Sequence, residues 1–190
     1  MIYIISILVI ALGVALDQYT KYLATTHLID KPIVLIDGVF ELRYLENRGA
    51  AFGLLQNQQL FFLVVTGITL LLIGYIYVRL PKVKHYLYLR ISLLAIVAGA
   101  IGNMIDRVRQ QFVVDFFYFK LIDFPIFNVA DIYATVATFA LIALFLFYYK
   151  EEDFDVIFKL FTFKKGTKYT AEMSYYVPFH DQDPRQLILM

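Results

Sequence analysis

The sequence predicts an all-α integral membrane protein, a four-transmembrane-helix bundle with a small extracytoplasmic β-sheet and with both termini in the cytoplasm. Three observations support this fold class. Of the 190 residues, 61% are hydrophobic and 17% are charged, whereas soluble domains are about 45–50% apolar. Four apolar stretches are long enough to cross a hydrocarbon core of about 30 Å, and one loop between them alternates apolar and polar residues. The predicted spans are about residues 2–26, 60–78, 86–105 and 132–149.

The first span has no charged side chain up to residue 16 and continues past Asp17 and Lys21. No basic residue precedes its apolar run, whereas a cleaved signal peptide begins with a positively charged region, so we expect a retained span. Asp17 and Lys21 are four residues apart, share one face of a helix and can pair. This pair is interpreted either as a structural ion pair or as a support for a nearby site.

The loop after the first span predicts short strands. Residues 39–45 alternate branched or aromatic side chains with polar ones, and a period of two is typical of half-buried strands. We expect a small sheet over residues 31–53, packed on the membrane surface. The small residues of 46–53 by themselves indicate only a tight loop near the interface.

The remaining spans and the connection between the second and third of them predict the orientation in the membrane. The second and fourth spans carry no charge, and the third carries Arg90 near its start, where we expect the long side chain to extend to the interface. The connection at residues 79–90 is basic and contains no acid, which marks it as cytoplasmic. The loops at 28–59 and 106–131 then lie outside.

The composition excludes several functions. The chain has no cysteine, which excludes disulfides, thiol catalysis and thiolate metal sites. A net charge of +1 argues against a nucleic-acid partner, because phosphate binding requires a concentrated basic face. The histidines, His27, His85 and His180, are scattered over different segments, so the sequence predicts no metal site and no cofactor.

The outer end of the third span carries a polar cluster beside small residues. The small residues between 98 and 102 would let another helix approach closely. Asn103 and Asp106 are three residues apart and share a face. The cluster could be purely structural, since Arg107 could neutralise an acid. An ionised Asp106 beside an arginine suits an orienting role better than proton transfer.

Two aspartates, Asp115 and Asp131, lie at the edges of apolar segments. A charge at the centre of a membrane helix costs about 2.5–3.5 kcal/mol, so such acids are candidates for function. We expect the apolar neighbours of Asp115 to raise its pKa, and we expect Asn128 to donate a hydrogen bond from the same helical face as Asp131. Two carboxyls that share a proton supply one acid and one base, as an aspartic peptidase requires. A third acid, Asp123, is interpreted as a solvated or turn residue.

Three other functions stay open on the residues alone. An ion- or proton-coupled transporter could use the same acids as a relay, although these acids gather at one end of the predicted bundle rather than at the midplane. A non-enzymatic membrane scaffold and a metal-dependent hydrolase are the other two.

Five sequence blocks resemble those of bacterial lipoprotein signal peptidase, also called signal peptidase II. They are Asp17-Gln-Tyr-Thr-Lys21, Asn47-Arg-Gly-Ala-Ala-Phe-Gly53, Gly99-Ala-Ile-Gly-Asn-Met-Ile-Asp-Arg107, Val114-Asp-Phe116 and Phe127-Asn-Val-Ala-Asp131. The blocks occur in the family's order within about residues 10–150. The resemblance implies an intramembrane aspartic endopeptidase that cleaves the signal peptide of a prolipoprotein just before its diacylglyceryl-modified cysteine.

The resemblance also implies roles for individual residues and partners. Asp115 and Asp131 would form the catalytic pair. The supporting or substrate-binding residues would be Asn47, Gly49, Asn103, Asp106, Arg107, Asn128, Asp17 and Lys21. The family resemblance further implies a cradle-like outer sheet, a mobile outer segment over the site and sensitivity to globomycin-type cyclic peptides. It places the protein in the bacterial cytoplasmic (inner) membrane, among membrane lipids, with the site facing the extracytoplasmic side, and we expect a monomer.

The tail departs from the family pattern. Residues 1–150 are interpreted as one four-span peptidase domain, and residues 151–190 as a cytoplasmic tail that matches nothing in the family. We expect this tail to be dispensable for chemistry and to serve in partner docking or regulation, with the aromatic residues of 169–179 touching the membrane surface. The sixteen-residue interval between the two acids is expected to affect only loop geometry.

Overall fold

The computed structural model describes residues 2–49 and 55–159, and within them the chain forms five α-helices and three β-strands. The helices are α1 (Ile2–His27), α2 (Gln59–Arg79), α3 (Leu87–Gln110), α4 (Val129–Ala143) and α5 (Glu151–Lys159). The strands are β1 (Ile33–Ile36), β2 (Phe40–Asn47) and β3 (Val113–Tyr118). Short 3₁₀ turns form at Lys84–Tyr86 and Lys120–Ile122, and a π-helical segment, Leu144–Tyr148, extends α4.

Four helical segments are long and apolar enough to cross a membrane. They are Ile2–His27, Gln59–Arg79, Lys84–Gln110 and Val129–Tyr148. Many of their large apolar side chains are exposed, as lipid-facing helices require. The prediction of four long apolar helices is therefore confirmed. The third helix is longer than predicted and ends at Gln110, followed by Gln111 in the left-handed conformation common at helix C-termini.

Helix α3 lies at the centre of the bundle, where it contacts α1, α2 and α4. Two glycines bring its backbone close to its neighbours, Gly99 against the start of α4 and Gly102 against α1. A Cβ atom on Gly99 would overlap the carbonyl oxygen of Ala130, and one on Gly102 would overlap the carboxylate of Asp17. The small residues of α3 therefore permit the close helix approach that the sequence predicts.

The three strands form one antiparallel sheet in the order β1-β2-β3. Strands β1 and β2 lie in the region predicted to form a sheet, whereas β3 is not predicted from the sequence. The first four residues of β3 are buried on both faces, so the run lacks the alternation that marks a half-buried strand. Asn47 pairs with Val113 and Leu45 with Asp115, so the sheet brings the end of β2 beside Asp115.

Arg90 lies near the start of α3 and contacts the C-terminal end of α2, while its expected extension to the membrane interface stays a prediction. Its side chain is buried, at 2% exposure. The guanidinium donates hydrogen bonds to the carbonyl oxygens of Leu80 and Tyr77 and lies 4.8 Å from the centre of the Tyr77 ring. The last carbonyls of α2 have no partner within their helix and carry partial negative charge, so a buried cation is stabilised there.

At the same end of the bundle, α5 packs against the connection between α2 and α3. Asp153 is buried and accepts hydrogen bonds from His85 Nε2 at 2.7 Å and from the Tyr86 hydroxyl at 2.9 Å. Val156 joins the buried core beside Tyr86. The prediction for the aromatic residues of 169–179 falls outside the part of the chain that the structure describes.

Candidate active site

Asp115 lies in the middle of β3 with its carboxylate almost fully buried, at 1% exposure. Asn47 donates its side-chain N–H to one carboxylate oxygen at 2.8 Å, and Asn128 donates to the other at 2.6 Å. Asn47 comes from the end of β2, where its register against Val113 places it diagonally across from Asp115. The backbone N–H of Gly49 donates to Asn47 Oδ1 at 3.0 Å, which fixes the amide with its nitrogen toward Asp115.

Asp131 lies in the first turn of α4, opposite Asn103 of α3. Asn103 donates to Asp131 Oδ1 at 2.8 Å. The other oxygen, Oδ2, accepts the backbone N–H of Asn128 at 3.1 Å, and Asn128 Oδ1 accepts the backbone N–H of Asp131 at 3.0 Å. The reciprocal bonds form a capping box at the start of the helix.

Asn128 therefore differs from its predicted position. The sequence predicts a donor on the same helical face as Asp131, but Asn128 precedes the helix as its N-cap. From there its amide nitrogen donates to Asp115 and, at 3.1 Å, to Asn103 Oδ1. One residue thus holds Asp115 with its side chain and Asp131 with its backbone, and the two acids belong to a single hydrogen-bonded cluster.

The environment of Asp115 favours its protonated form. Burial is the main effect that raises the pKa of Asp115 to about 7, and the charge of Asp131 adds to it. The hydrogen bonds from Asn47 and Asn128 act in the opposite direction because they stabilise the carboxylate. The sequence expectation of a raised pKa at Asp115 is confirmed.

Lys21 connects the first helix to this cluster. The predicted ion pair with Asp17 is present at 2.9 Å, and a second one joins Lys21 to Asp106 at 2.9 Å. The ammonium also donates to Asn103 Oδ1 at 2.8 Å, so its three N–H donors all have acceptors. Asp17 accepts the backbone N–H of Ala130 at 3.0 Å and so ties α1 to the start of α4.

Arg107 does not neutralise its neighbour Asp106, which is a correction to the sequence interpretation. Consecutive residues of a helix do not face each other. Asp106 pairs with Lys21 instead, and the Arg107 guanidinium lies 4.7 Å from the centre of the Phe62 ring. Arg107 also donates to the carbonyl oxygen of Gly49 at 3.5 Å, which places it at the entrance of the loop whose residues 50–54 fall outside the described part of the chain.

Asp123 lies apart from this cluster, in an exposed turn with a left-handed backbone conformation, where it accepts a hydrogen bond from the Tyr118 hydroxyl at 2.6 Å. The prediction of a turn residue is confirmed. Within residues 2–49 and 55–159, no group of three or more His, Cys, Asp or Glu side chains is arranged to hold a metal ion.

One residue of the cluster is missing from the sequence predictions. Gln18 donates to Asp106 Oδ1 at 2.9 Å and to the carbonyl oxygen of Gly102 at 3.2 Å. A possible signal is its place between Asp17 and Lys21 on the helix that bears both. Its partners, however, are more than eighty residues away along the chain.

A family model described as signal peptidase (SPase) II matches residues 9–147. The chain belongs to the signal peptidase II family. It is 47% identical over 146 residues to a lipoprotein signal peptidase of Caldanaerobacter subterraneus, covering 75% of this chain and 96% of the relative. It is 43% identical over 143 residues to a lipoprotein signal peptidase of Clostridioides difficile, covering 75% of this chain and 95% of that relative.

Two solved structures have a fold similar to that of this chain. The chain is similar to a bacterial membrane enzyme with a TM-score of 0.67 and 35% identity, over 74% of this chain and 87% of the other. A second bacterial membrane enzyme gives a TM-score of 0.66 and 35% identity, over 76% of this chain and 94% of the other. All the clustered site residues lie inside the range matched to signal peptidase II, whereas α5 begins after it.

Proposed function

We propose that this signal peptidase II family member is an aspartic endopeptidase that removes the signal peptide from diacylglyceryl-modified prolipoproteins, with Asp115 and Asp131 as its catalytic pair. The observation that carries the proposal is Asn128, which contacts the buried carboxylate of Asp115 and the half-buried carboxylate of Asp131. A pKa of Asp115 near 7 supports a pair that holds one proton at neutral pH.

The reaction needs one acid and one base. The ionised carboxylate takes a proton from a water molecule, and the water oxygen forms a bond to the carbonyl carbon of the scissile peptide. The protonated carboxyl donates a hydrogen bond to the carbonyl oxygen, which becomes negatively charged. Collapse of this intermediate breaks the C–N bond, and the leaving nitrogen takes up a proton from the acid.

The supporting residues would hold the pair and the substrate. Asn47, Asn103 and Asn128 orient the two carboxyls through the hydrogen bonds described above. Asp17, Lys21 and Asp106 brace α1, α3 and β3 around them. Arg107 lies over the Phe62 ring and donates to the Gly49 carbonyl oxygen, and we expect Arg107 and the Gly49 backbone to contact the substrate backbone.

The substrate would meet the site at the membrane surface. We place the protein in the bacterial cytoplasmic (inner) membrane with both termini in the cytoplasm and the acids near the extracytoplasmic face, as the basic connection at residues 79–90 indicates. A diacylglyceryl group anchored in the outer leaflet would present the peptide bond before its cysteine at this depth. The signal helix would lie between the spans, among membrane lipids. Globomycin-type cyclic peptides would compete for the site, and the enzyme would act as a monomer without a cofactor.

Two peptides of identical sequence test the substrate assignment, one with a diacylglyceryl-modified cysteine and one with a free cysteine. The purified full-length protein should cleave the lipidated peptide just before its cysteine, and globomycin should stop the cleavage. Mass spectrometry of the products identifies the bond. Equal cleavage of both peptides, or cleavage at another bond, would contradict the assignment.

A further inference from the structure

We propose that Gln18 is a positioning residue of the catalytic pair and that it acts through Asp106 on the backbone beside Asp115. This inference rests on the proposed function, since it concerns the geometry of the proposed pair. Gln18 is half-buried in α1 and touches neither carboxylate of that pair through a described hydrogen bond. Its effect would therefore be indirect.

The orientation of the Gln18 amide follows from its surroundings. The nitrogen faces three oxygen acceptors, namely Asp106 Oδ1 at 2.9 Å, the Gly102 carbonyl at 3.2 Å and Asp17 Oδ2 at 3.3 Å. Only the NH₂ end of a glutamine can satisfy such a set, because the amide oxygen has no proton to donate. Gln18 is thus a neutral donor aimed at two carboxylates.

Asp106 connects Gln18 to strand β3 through its two carboxylate oxygens. While Oδ1 accepts from Gln18, Oδ2 accepts the backbone N–H of Val114 at 3.2 Å. Val114 directly precedes Asp115, and both are buried. The orientation of the Asp106 carboxylate therefore fixes the backbone position from which the Asp115 side chain extends.

The charge balance explains why a neutral donor is needed. Lys21 carries one positive charge and pairs with both Asp17 and Asp106. Its three N–H donors are already used by these two acids and by Asn103. Gln18 supplies the further donor that Asp106 Oδ1 requires, without adding a charge. Without Gln18, the Asp106 carboxylate keeps only the contacts of Oδ2 with Lys21 and with the Val114 N–H, so its orientation is less restrained.

Replacement of Gln18 by methionine keeps the length of the side chain and removes the donor. Gln18→Met should lower kcat on the order of tenfold with KM unchanged, because a small displacement of Asp115 weakens the chemistry more than substrate binding. Tyr19→Leu, an exposed position next to it on α1, is the matched control and should keep the wild-type kcat. A wild-type kcat in Gln18→Met would overturn the inference, as would a rise in KM alone.

Hydrogen exchange of the Val114 amide gives a readout without substrate. In full-length protein held in nanodiscs, exchange at Val114 should be faster in Gln18→Met than in wild type, and unchanged in Tyr19→Leu. Because no cleavage is involved, this result is independent of whether Asp115 and Asp131 are catalytic. Unchanged exchange at Val114 would overturn the link through Asp106. If Gln18→Met does not fold, Gln18→Asn is the second variant, because it keeps the amide on a shorter side chain. It should also lower kcat and speed exchange at Val114. A wild-type kcat in Gln18→Asn would overturn the inference.

A double-mutant cycle tests whether Gln18 acts through Asp106. In an Asp106→Ala background, Gln18→Met should lower kcat by less than about twofold, because the two residues belong to one path. A further tenfold loss in that background would show an independent effect and overturn the inference.

Discussion

The side-chain amide of Asn128 donates a hydrogen bond to Asp115 at 2.6 Å, although Asn128 belongs to the start of α4 and Asp115 to the middle of β3. The same side chain accepts the backbone N–H of Asp131 as the helix cap. Asn128 thus has two separable tasks. It begins the fourth helix, and it orients the buried carboxyl of the neighbouring strand.

Two substitutions separate these tasks. Asn128→Ser keeps a capping oxygen but cannot donate to Asp115 from the same position, so the melting temperature should stay close to that of wild type while kcat falls on the order of tenfold to a hundredfold. Asn128→Ala also removes the cap and should destabilise the fold by about 1 kcal/mol. Thermal unfolding in detergent and steady-state cleavage of the lipidated peptide give both readouts. A serine variant with wild-type kcat would remove Asn128 from the orientation of Asp115.

The raised pKa of Asp115 makes stability depend on pH. Burial raises this pKa from its ordinary value of 3.8 to about 7, so between these values the folded protein binds more protons at Asp115 than the unfolded chain does. The Asp115 carboxyl therefore adds to the free energy of unfolding below about pH 4, and this contribution is lost as the pH rises to about 7. An asparagine at this position cannot ionise. The melting temperature of Asp115→Asn relative to wild type should therefore increase from about pH 4 to about pH 7 and stay constant above that.

The control for this prediction is Asp123→Asn, because Asp123 is exposed in a turn outside the cluster. Its melting temperature should follow that of wild type across the same pH range. If the difference between Asp115→Asn and wild type does not vary with pH, the raised pKa of Asp115 is refuted.

The close contact between Gly102 and Asp17 predicts that one added methyl group at Gly102 lowers the stability of the fold. A Cβ atom there would overlap the Asp17 carboxylate, which holds the start of α4 through the backbone N–H of Ala130. Gly102→Ala should destabilise the fold by about 1–3 kcal/mol and reduce cleavage, since Asp131 lies one residue after Ala130. Gly74→Ala is the control, because among the described residues nothing outside the adjacent backbone of its own helix lies within 4 Å of the corresponding methyl group. Equal melting temperatures of the two variants would argue against the contact.

Helix α5 follows residues 9–147, which match the signal peptidase II model, and its contacts allow a further prediction. Removal of the buried Asp153 carboxylate leaves His85 and Tyr86 without their common acceptor. Asp153→Ala should therefore release α5 and increase its cleavage in limited proteolysis, whereas kcat should stay within about twofold of wild type. Asp155→Ala, an exposed acid of the same helix, should leave the proteolysis pattern unchanged. A large loss of kcat in Asp153→Ala alone would connect α5 to the active site.

Sequence features with a simple physical signature were predictable. The spans follow from apolar length, and the pair of Asp17 and Lys21 follows from their separation of four residues on a helix. The cap at Asn128 also has a local signature, because an acid stands three residues later, but the sequence interpretation placed Asn128 inside the helix.

Other features depend on contacts that no local pattern contains. Strand β3 is buried on both faces, so its apolar run has no strand periodicity. The burial of Arg90 depends on the carbonyls at the end of α2, and the contact of Gln18 with Asp106 joins residues more than eighty positions apart. Such partners become visible only when the helices are packed together.

The two aspartates are tested most directly by single-turnover cleavage of the diacylated peptide with purified Asp115→Asn and Asp131→Asn, each shown to be folded and inserted. We predict that both variants lose at least about a thousandfold in rate, because each removes one member of an acid–base pair. A folded variant of either residue that cleaves at more than about a tenth of the wild-type rate would contradict the assignment of that aspartate to the catalytic pair.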